Sequence, residues 1–171
     1  MKKYIIFFSL IIIFCSDKGY SKEKVIESLK EGRKIIFIRH AYAPGNGDPE
    51  NFNLEDCRTQ RNLDETGIAQ SKKIGLIFKK NEIKIDKVLS SEWCRCKDTA
   101  KYAFQNFESF EYLNSFYDKK FIKNKDKQIK NLKNYINNWN SEKNLILVTH
   151  FVVISEILNI SSSSGEIIVS N

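Results

Sequence analysis

Histidine is nearly missing from this chain: His40 and His150 are the only two. Proline is as scarce, and both prolines, Pro44 and Pro49, fall in one stretch, Ala41 to Arg61. There is no internal repeat and no low-complexity tract, which excludes a repeat array. No apolar run is long enough to span a bilayer, which takes about 20 residues; the longest reaches only from Tyr4 to Cys15. Cysteine is too sparse for a zinc site, because Cys94-x-Cys96 with one distant Cys57 matches no usual ligand spacing. Lys and Arg outnumber Asp and Glu by 28 to 21, a net charge of +7. The lysines are spread through most of the expected helices. They are not gathered with stacking aromatics on one face, so the charge reads as a solvated basic surface and a nucleic-acid partner is excluded. An anionic small substrate is still favoured electrostatically.

What is present begins with a targeting pattern. Met1-Lys2-Lys3 and the apolar run behind it form the n- and h-regions of a signal peptide. Gly19-Tyr20-Ser21 puts small residues where a signal peptidase inspects them, so cleavage is expected after Ser21. Lipidation at Cys15 is the lesser reading, since Phe14 is bulky where that signal wants a small side chain. The expected organisation is a signal peptide over 1–21 and one domain over 22–171, periplasmic or secreted, touching a membrane only through the signal segment. Export implies an oxidising compartment. Three cysteines remain after cleavage. Cys94 and Cys96 are too close to bridge each other within a helix. One bridge from Cys57 to either of them, or three buried thiols, both fit the sequence.

The domain is organised around Lys34 to Ala41. Ile35-Ile36-Phe37-Ile38 is a short β-branched and aromatic run that reads as a buried strand. It stops at Arg39-His40, before a stretch that no helix tolerates. Asn144 to Thr149 is a second such run, ending at His150. Further strands are expected over 83–90, over 166–169 and once within the aromatic stretch 107–121, which reads as a cap over the site. Helices are expected over 22–31, ended by Gly32, and from Asp64-Glu65 onward with Ile68, Ile74, Leu76, Ile77 and Phe78 inside. Others are expected over 92–106 with Ser91 as N-cap, over 124–140 and over 152–158. Alternating strands and helices predict an α/β domain: a three-layer α/β/α sandwich with a mostly parallel central sheet. Such sheets bind ligands at the carboxyl ends of their strands, where both histidines fall. Ala41 to Arg61 is too long and turn-rich for an idle connection and reads as a binding loop.

Two strand-end histidines beside arginines suit phosphoryl transfer. Imidazole is a competent nucleophile near neutral pH. Phosphoryl transfer asks mainly for positioning and positive charge. The planar fork of arginine matches phosphate oxygens in pairs. Arg39 adjoins His40, and Arg95 lies in the first turn of a helix, where anions are attracted.

Four motifs, in order, carry a family resemblance over roughly Ile35 to Val169. Phe37-Ile38-Arg39-His40-Ala41 resembles the Arg-His-Gly signature of the histidine phosphatase superfamily, the phosphoglycerate-mutase-like proteins. Ser91, Arg95 and Thr99-Ala100 resemble its second motif. Leu147-Val148-Thr149-His150 resembles the second-histidine strand. Leu63 to Gly67 with Gln70 is similar to its helix entry. The resemblance implies a phosphatase, a phosphoric monoester hydrolase, with His40 as the phosphorylated nucleophile. Arg39, Arg95 and His150 would hold the phosphoryl group, and Asn46 would be a lesser substrate-binding residue. Arg58 and Arg61 are expected either to extend the anionic pocket as substrate-binding residues or to be solvated loop charges. No metal and no organic cofactor are implied, and the partner is a small phosphorylated substrate.

Two departures stand out. Ala41 replaces the usual Gly, and no general acid is apparent. Phe151 follows His150 where many members carry Asp, and Leu113 to Phe116 falls where others carry Glu. Glu92, Glu111 and Asp118 remain as candidates. The 57–67 region and the ending 164–169 are similar to an exported bacterial branch, one relative of which acts on a phosphorylated lipopolysaccharide core sugar. An envelope phosphosugar is therefore one expected substrate. The alternatives are a protein phosphohistidine phosphatase and a catalytically weak phosphate- or phosphoglycan-binding module.

Overall fold

A computed structural model describes residues 19–170. The proposed signal segment lies outside the described residues except for 19–21, which begin the first helix. Among the described residues no helix is long and apolar enough to cross a membrane.

The elements in order are α1 (Gly19–Glu31), β1 (Ile35–Arg39), α2 (Glu65–Lys80), β2 (Ile85–Ser90), α3 (Cys94–Phe104), β3 (Glu108–Ser109), α4 (Lys125–Asn138), β4 (Asn144–Thr149), α5 (Phe151–Leu158) and β5 (Ile167–Ser170). The five strands form one sheet in the order β3-β2-β4-β1-β5. Every pairing is parallel except that of β5, which runs antiparallel to β1 at the edge. This is the expected mostly parallel α/β sheet.

Period-2 alternation sorts the strand residues into two cores. Ile36, Ile38, Ile146 and Val148 face one layer with Leu29, Ile74, Phe78 and Ala100 of α1, α2 and α3. Phe37, Leu145 and Leu147 face the other with Ile129 and Leu132 of α4 and Val153 and Ile154 of α5. β4 is buried along its whole length, which explains its unbroken apolar run. α1 ends where Gly32 takes a left-handed φ of +81° and lies against the Glu142 carbonyl, a place without room for a side chain.

Two details correct the sequence reading. Leu76 is 62 % exposed. The inward face of α2 is Gly67, Ser71, Ile74 and Phe78, and a residue two positions from Ile74 and Phe78 points away from both. Ser91 is not the N-cap of α3. That helix begins at Cys94, Trp93 sits at its N-cap without a side-chain bond, and the Cys94 N–H donates to Gln60 Oε1 at 2.9 Å.

Candidate active site

Parallel register brings the two histidines together. Arg39 pairs with Thr149, and the His40 N–H donates to the Thr149 carbonyl at 2.9 Å. The next residues on each strand therefore leave the sheet side by side, with the His40 and His150 rings 5.4 Å apart and each residue 2 % exposed. His40 Nδ1 lies 2.8 Å from the Ala41 carbonyl. A carbonyl only accepts, so Nδ1 carries the proton and Nε2 keeps its lone pair. The backbone after His40 is fixed by Thr99, whose hydroxyl accepts the Ala41 N–H at 2.9 Å and donates to the Arg95 carbonyl at 2.7 Å.

Burial pushes the His40 imidazole down to about 3, reinforced by the positive charge of Arg95. Burial first, then Arg95 and His40, holds His150 well below its ordinary value. Both rings are neutral near neutral pH. His150 Nε2 lies 2.9 Å from Ser91 Oγ and 3.4 Å from the Cys96 sulfur. Ser91 in turn bonds Asn114 Oδ1 at 3.1 Å, and Asn114 Nδ2 donates to Glu92 Oε2 at 2.6 Å. The Ser of the second motif thus orients the second histidine. Burial keeps the Cys96 thiol protonated, pushed up to about 12.

Three arginines converge on the same cleft. Arg39 Nη1 donates to the Ser162 carbonyl at 2.5 Å, and its guanidinium lies 5.3 Å from the centre of the Phe151 ring. Arg61 is held by the Gly47 carbonyl at 2.9 Å and by the Ala43 carbonyl. Arg95 is held by Asp48, with Nη1–Oδ1 at 2.7 Å and Nη2–Oδ2 at 3.2 Å. The Nε–H groups of Arg39 and Arg95 are both buried without a hydrogen-bond partner. Unpaired buried donors are costly, and two of them beside a buried imidazole suit an anion with several acceptor oxygens.

The 41–61 loop encloses this cleft. Gly67, in the first turn of α2, has no room for a Cβ, which would stand 2.0 Å from the Tyr42 carbonyl oxygen. Gln70 receives the Tyr42 N–H at 2.9 Å and donates to the Ser164 carbonyl at 2.7 Å. The Gly and Gln of the helix-entry motif therefore clamp the strand end to the helix. Farther along, a disulfide joins Cys57 to Cys94 and leaves Cys96 a free buried thiol.

The cleft has a volume of about 280 Å³. Arg39, His40, Asn46, Arg61, Arg95 and His150 all line it, whereas Arg58 is exposed and paired with Asp56 outside it, the solvated loop charge of its alternative reading. Asn46 is exposed, near the mouth. Arg61 is half-buried, and burial and Arg95 lower its guanidinium from its ordinary value. Tyr42, Tyr117 and Phe151, all exposed, stand around the opening, and Phe121 lines the wall. Of the aromatics in the expected 107–121 cap only Tyr117 and Phe121 line the cleft; Phe107, Phe110, Tyr112 and Phe116 pack against the two cores instead. Of the three acid candidates only Asp118 reaches the cleft; Glu92 is tied to Asn114, and Glu111 does not line it. Asp48 carries no signal in the sequence. It stands in a polar turn with no spacing to mark it, and only the folded loop returns it to Arg95. No group of three His, Cys, Asp or Glu among the described residues could hold a metal ion.

Neither a family model nor a curated protein sequence matches the chain. Solved structures do. The protein histidine phosphatase SixA, complexed with tungstate, is 14% identical with a TM-score of 0.54, covering 77% of this chain and 83% of that one. Phosphoglycerate mutase from Thermus thermophilus is 14% identical with a TM-score of 0.56, covering 80% and 91%. A mycobacterial glucosyl-3-phosphoglycerate phosphatase, in complex with VO3, is 12% identical with a TM-score of 0.50, covering 74% and 80%. The chain therefore has the α/β fold of the phosphoglycerate-mutase-like proteins, with the cleft of His40 and His150 at the carboxyl edge of its sheet.

Proposed function

We propose that this chain is an exported phosphomonoesterase that hydrolyses its substrate through a phosphohistidine at His40. The observation that carries the reading is the buried, neutral His40, its Nε2 lone pair free, in a cleft where the Nε–H groups of Arg39 and Arg95 have no partner. In the first step His40 Nε2 forms a bond to phosphorus as the ester P–O bond breaks. The departing oxygen keeps the electron pair and takes its proton from water. Arg39 and Arg95 neutralise charge on the equatorial oxygens throughout. In the second step water attacks the phosphohistidine, inorganic phosphate leaves, and the imidazole is restored. His150 packs beside the reacting group with its ring fixed by Ser91.

Two carboxylates line the cleft. Asp48 is bound to Arg95, and Asp118 is exposed at the rim with Oδ1 accepting the Lys120 N–H at 3.0 Å. Neither is built as a strong acid over the leaving oxygen. Esters whose leaving group has a low pKa are therefore favoured, since these need the least protonation.

Export is supported by the 1–21 signal pattern and by the Cys57–Cys94 disulfide, a bond that persists in oxidising compartments. The substrate class is a small phosphate monoester, an envelope phosphosugar among them. The weak acid provision also favours a second reading, a protein phosphohistidine phosphatase, whose imidazole leaving group is a good one. Hydrolysis of phenyl phosphate by wild type and by His40→Ala tests the first reading. Turnover by wild type alone is expected; equal turnover by both would overturn it. A folded wild-type protein that binds phosphate without turnover would instead be a binding module.

A further inference from the structure

We propose that Asp48 is a positioning residue for this site: it grips Arg95 by one edge and thereby presents the other edge to the phosphoryl group at His40. The proposal rests on the reading of the cleft as a phosphoryl site.

A guanidinium has two edges that bind oxygens in pairs, one made by its two terminal nitrogens and one made by Nε and Nη2. Asp48 occupies the first, with Oδ1 on Nη1 at 2.7 Å and Oδ2 on Nη2 at 3.2 Å. Nη1 also donates to the Arg61 carbonyl at 3.4 Å. The second edge shares Nη2 with the first, and its Nε–H is buried without a partner. Asp48 is held as firmly as it holds. Its Oδ2 accepts the Trp93 indole N–H at 3.0 Å, and its Oδ1 accepts the Arg61 backbone N–H at 3.2 Å. The Arg95 side chain is 4 % exposed and that of Asp48 14 %. This is a second set of contacts locking a ligand-binding group in one geometry.

The loop is shaped to deliver this carboxylate. Gly45 and Gly47 take φ values of +89° and +68°, which turn the chain back toward α3 just before Asp48. Cys57 then fastens the far end of the loop to Cys94, the neighbour of Arg95. Charge is also matched. Arg39, Arg61 and Arg95 against Asp48 leave two positive charges, the complement of a phosphate dianion. Burial alone would raise the Asp48 carboxyl, but the hydrogen bonds and charge of Arg95, with the Trp93 and Arg61 N–H groups, hold it below its ordinary value and ionised.

Positioning and simple charge make opposite predictions for Asp48→Asn. Removing a negative charge from an anion site strengthens phosphate binding by Coulomb attraction. Releasing Arg95 weakens it. The experiment measures inorganic phosphate binding by calorimetry, with kcat and KM on phenyl phosphate, for the full chain, for Asp48→Asn, for Arg95→Lys and for the double variant. Positioning predicts that Asp48→Asn binds phosphate at least about tenfold more weakly, with KM raised and kcat lowered, because misplaced binding groups cost rate as well as affinity. In the Arg95→Lys background, where no fork exists to orient, the same change should no longer weaken phosphate binding, because only the Coulomb gain remains. Equal or tighter phosphate binding by Asp48→Asn would overturn the proposal, as would an undiminished effect in the Arg95→Lys background. If Asp48→Asn does not fold, Asp48→Glu keeps the charge but displaces the guanidinium by a methylene. Weakened binding is expected of it, and unchanged binding would overturn the proposal. A wild-type protein that neither binds phosphate nor turns over an ester would overturn the phosphoryl reading itself, an outcome distinct from a sign reversal in the variant.

Discussion

His40 and His150 stand with ring centroids 5.4 Å apart because the strands that carry them are parallel neighbours in register at Arg39 and Thr149. Two buried imidazoles at that distance are neutral, His40 with a value pushed down to about 3 by burial and by Arg95.

That neutrality makes the fold sensitive to acid. The unfolded chain binds protons at both histidines near the ordinary value of about 6.5, whereas folded His40 does not until about 3. Stability is therefore full above about pH 6.5 and falls as pH drops toward 3, by up to about 1.4 kcal/mol per pH unit for each histidine. Urea melts in phosphate-free buffer should show this slope in wild type and a flatter one in a His40→Asn, His150→Asn double variant. Equal slopes in the two would contradict the assignment of neutral rings.

Arg95→Lys should retain the charge and lose the fork. Phosphate affinity is expected to fall by about tenfold, the free energy of one charge-assisted hydrogen bond. Arg95→Ala should go further and unfold readily, since it leaves the buried Asp48 carboxylate unpaired at a cost of about 3 kcal/mol. Calorimetric titration with phosphate and thermal melting separate the two effects. Unchanged phosphate affinity in Arg95→Lys would remove this residue from the pocket.

Gly67→Ala tests the clamp between α2 and the strand end. An added methyl would lie 2.0 Å from the Tyr42 carbonyl oxygen, so helix and loop must part. A loss of about 1–3 kcal/mol is expected, as for an overpacked core, with KM raised because the loop behind His40 shifts. Wild-type stability and KM in this variant would show that the contact yields without consequence.

Reduction should loosen the binding loop. The Cys57–Cys94 bridge closes residues 37 apart in sequence, and a loop of that size contributes about 2–4 kcal/mol. A reducing agent should lower the melting temperature of wild type, and Cys57→Ser should reproduce that loss and no longer respond to reductant. A wild-type melting temperature indifferent to reductant would place the thiols apart in solution.

Most of the sheet was legible because its signals are local. β-branched runs mark β1 and β4, and the polar stretch after His40 marks the loop. The four motifs point to the residues that line the cleft. What the sequence did not yield depends on contacts between distant segments. Asp48 has no periodicity and meets Arg95 only once the loop has curled. Ser91 is chemically a good N-cap, but a nearby buried imidazole competes for its hydroxyl, and α3 starts three residues later with Gln60 satisfying its first N–H. Leu76 looked inward by composition, although its angular position on α2 points it to solvent. The partner of Cys57 remained open because Cys94 and Cys96 differ only in which side of the first turn of α3 they occupy.

The most direct test of the phosphohistidine claim is to mix full-length protein with phenyl phosphate, quench in alkaline denaturant, where phosphohistidine survives, and locate the phosphoryl adduct by peptide mass spectrometry. One adduct is expected, on the peptide containing His40, absent from His40→Ala. Turnover without any adduct on that peptide, or an adduct on another residue, would contradict it.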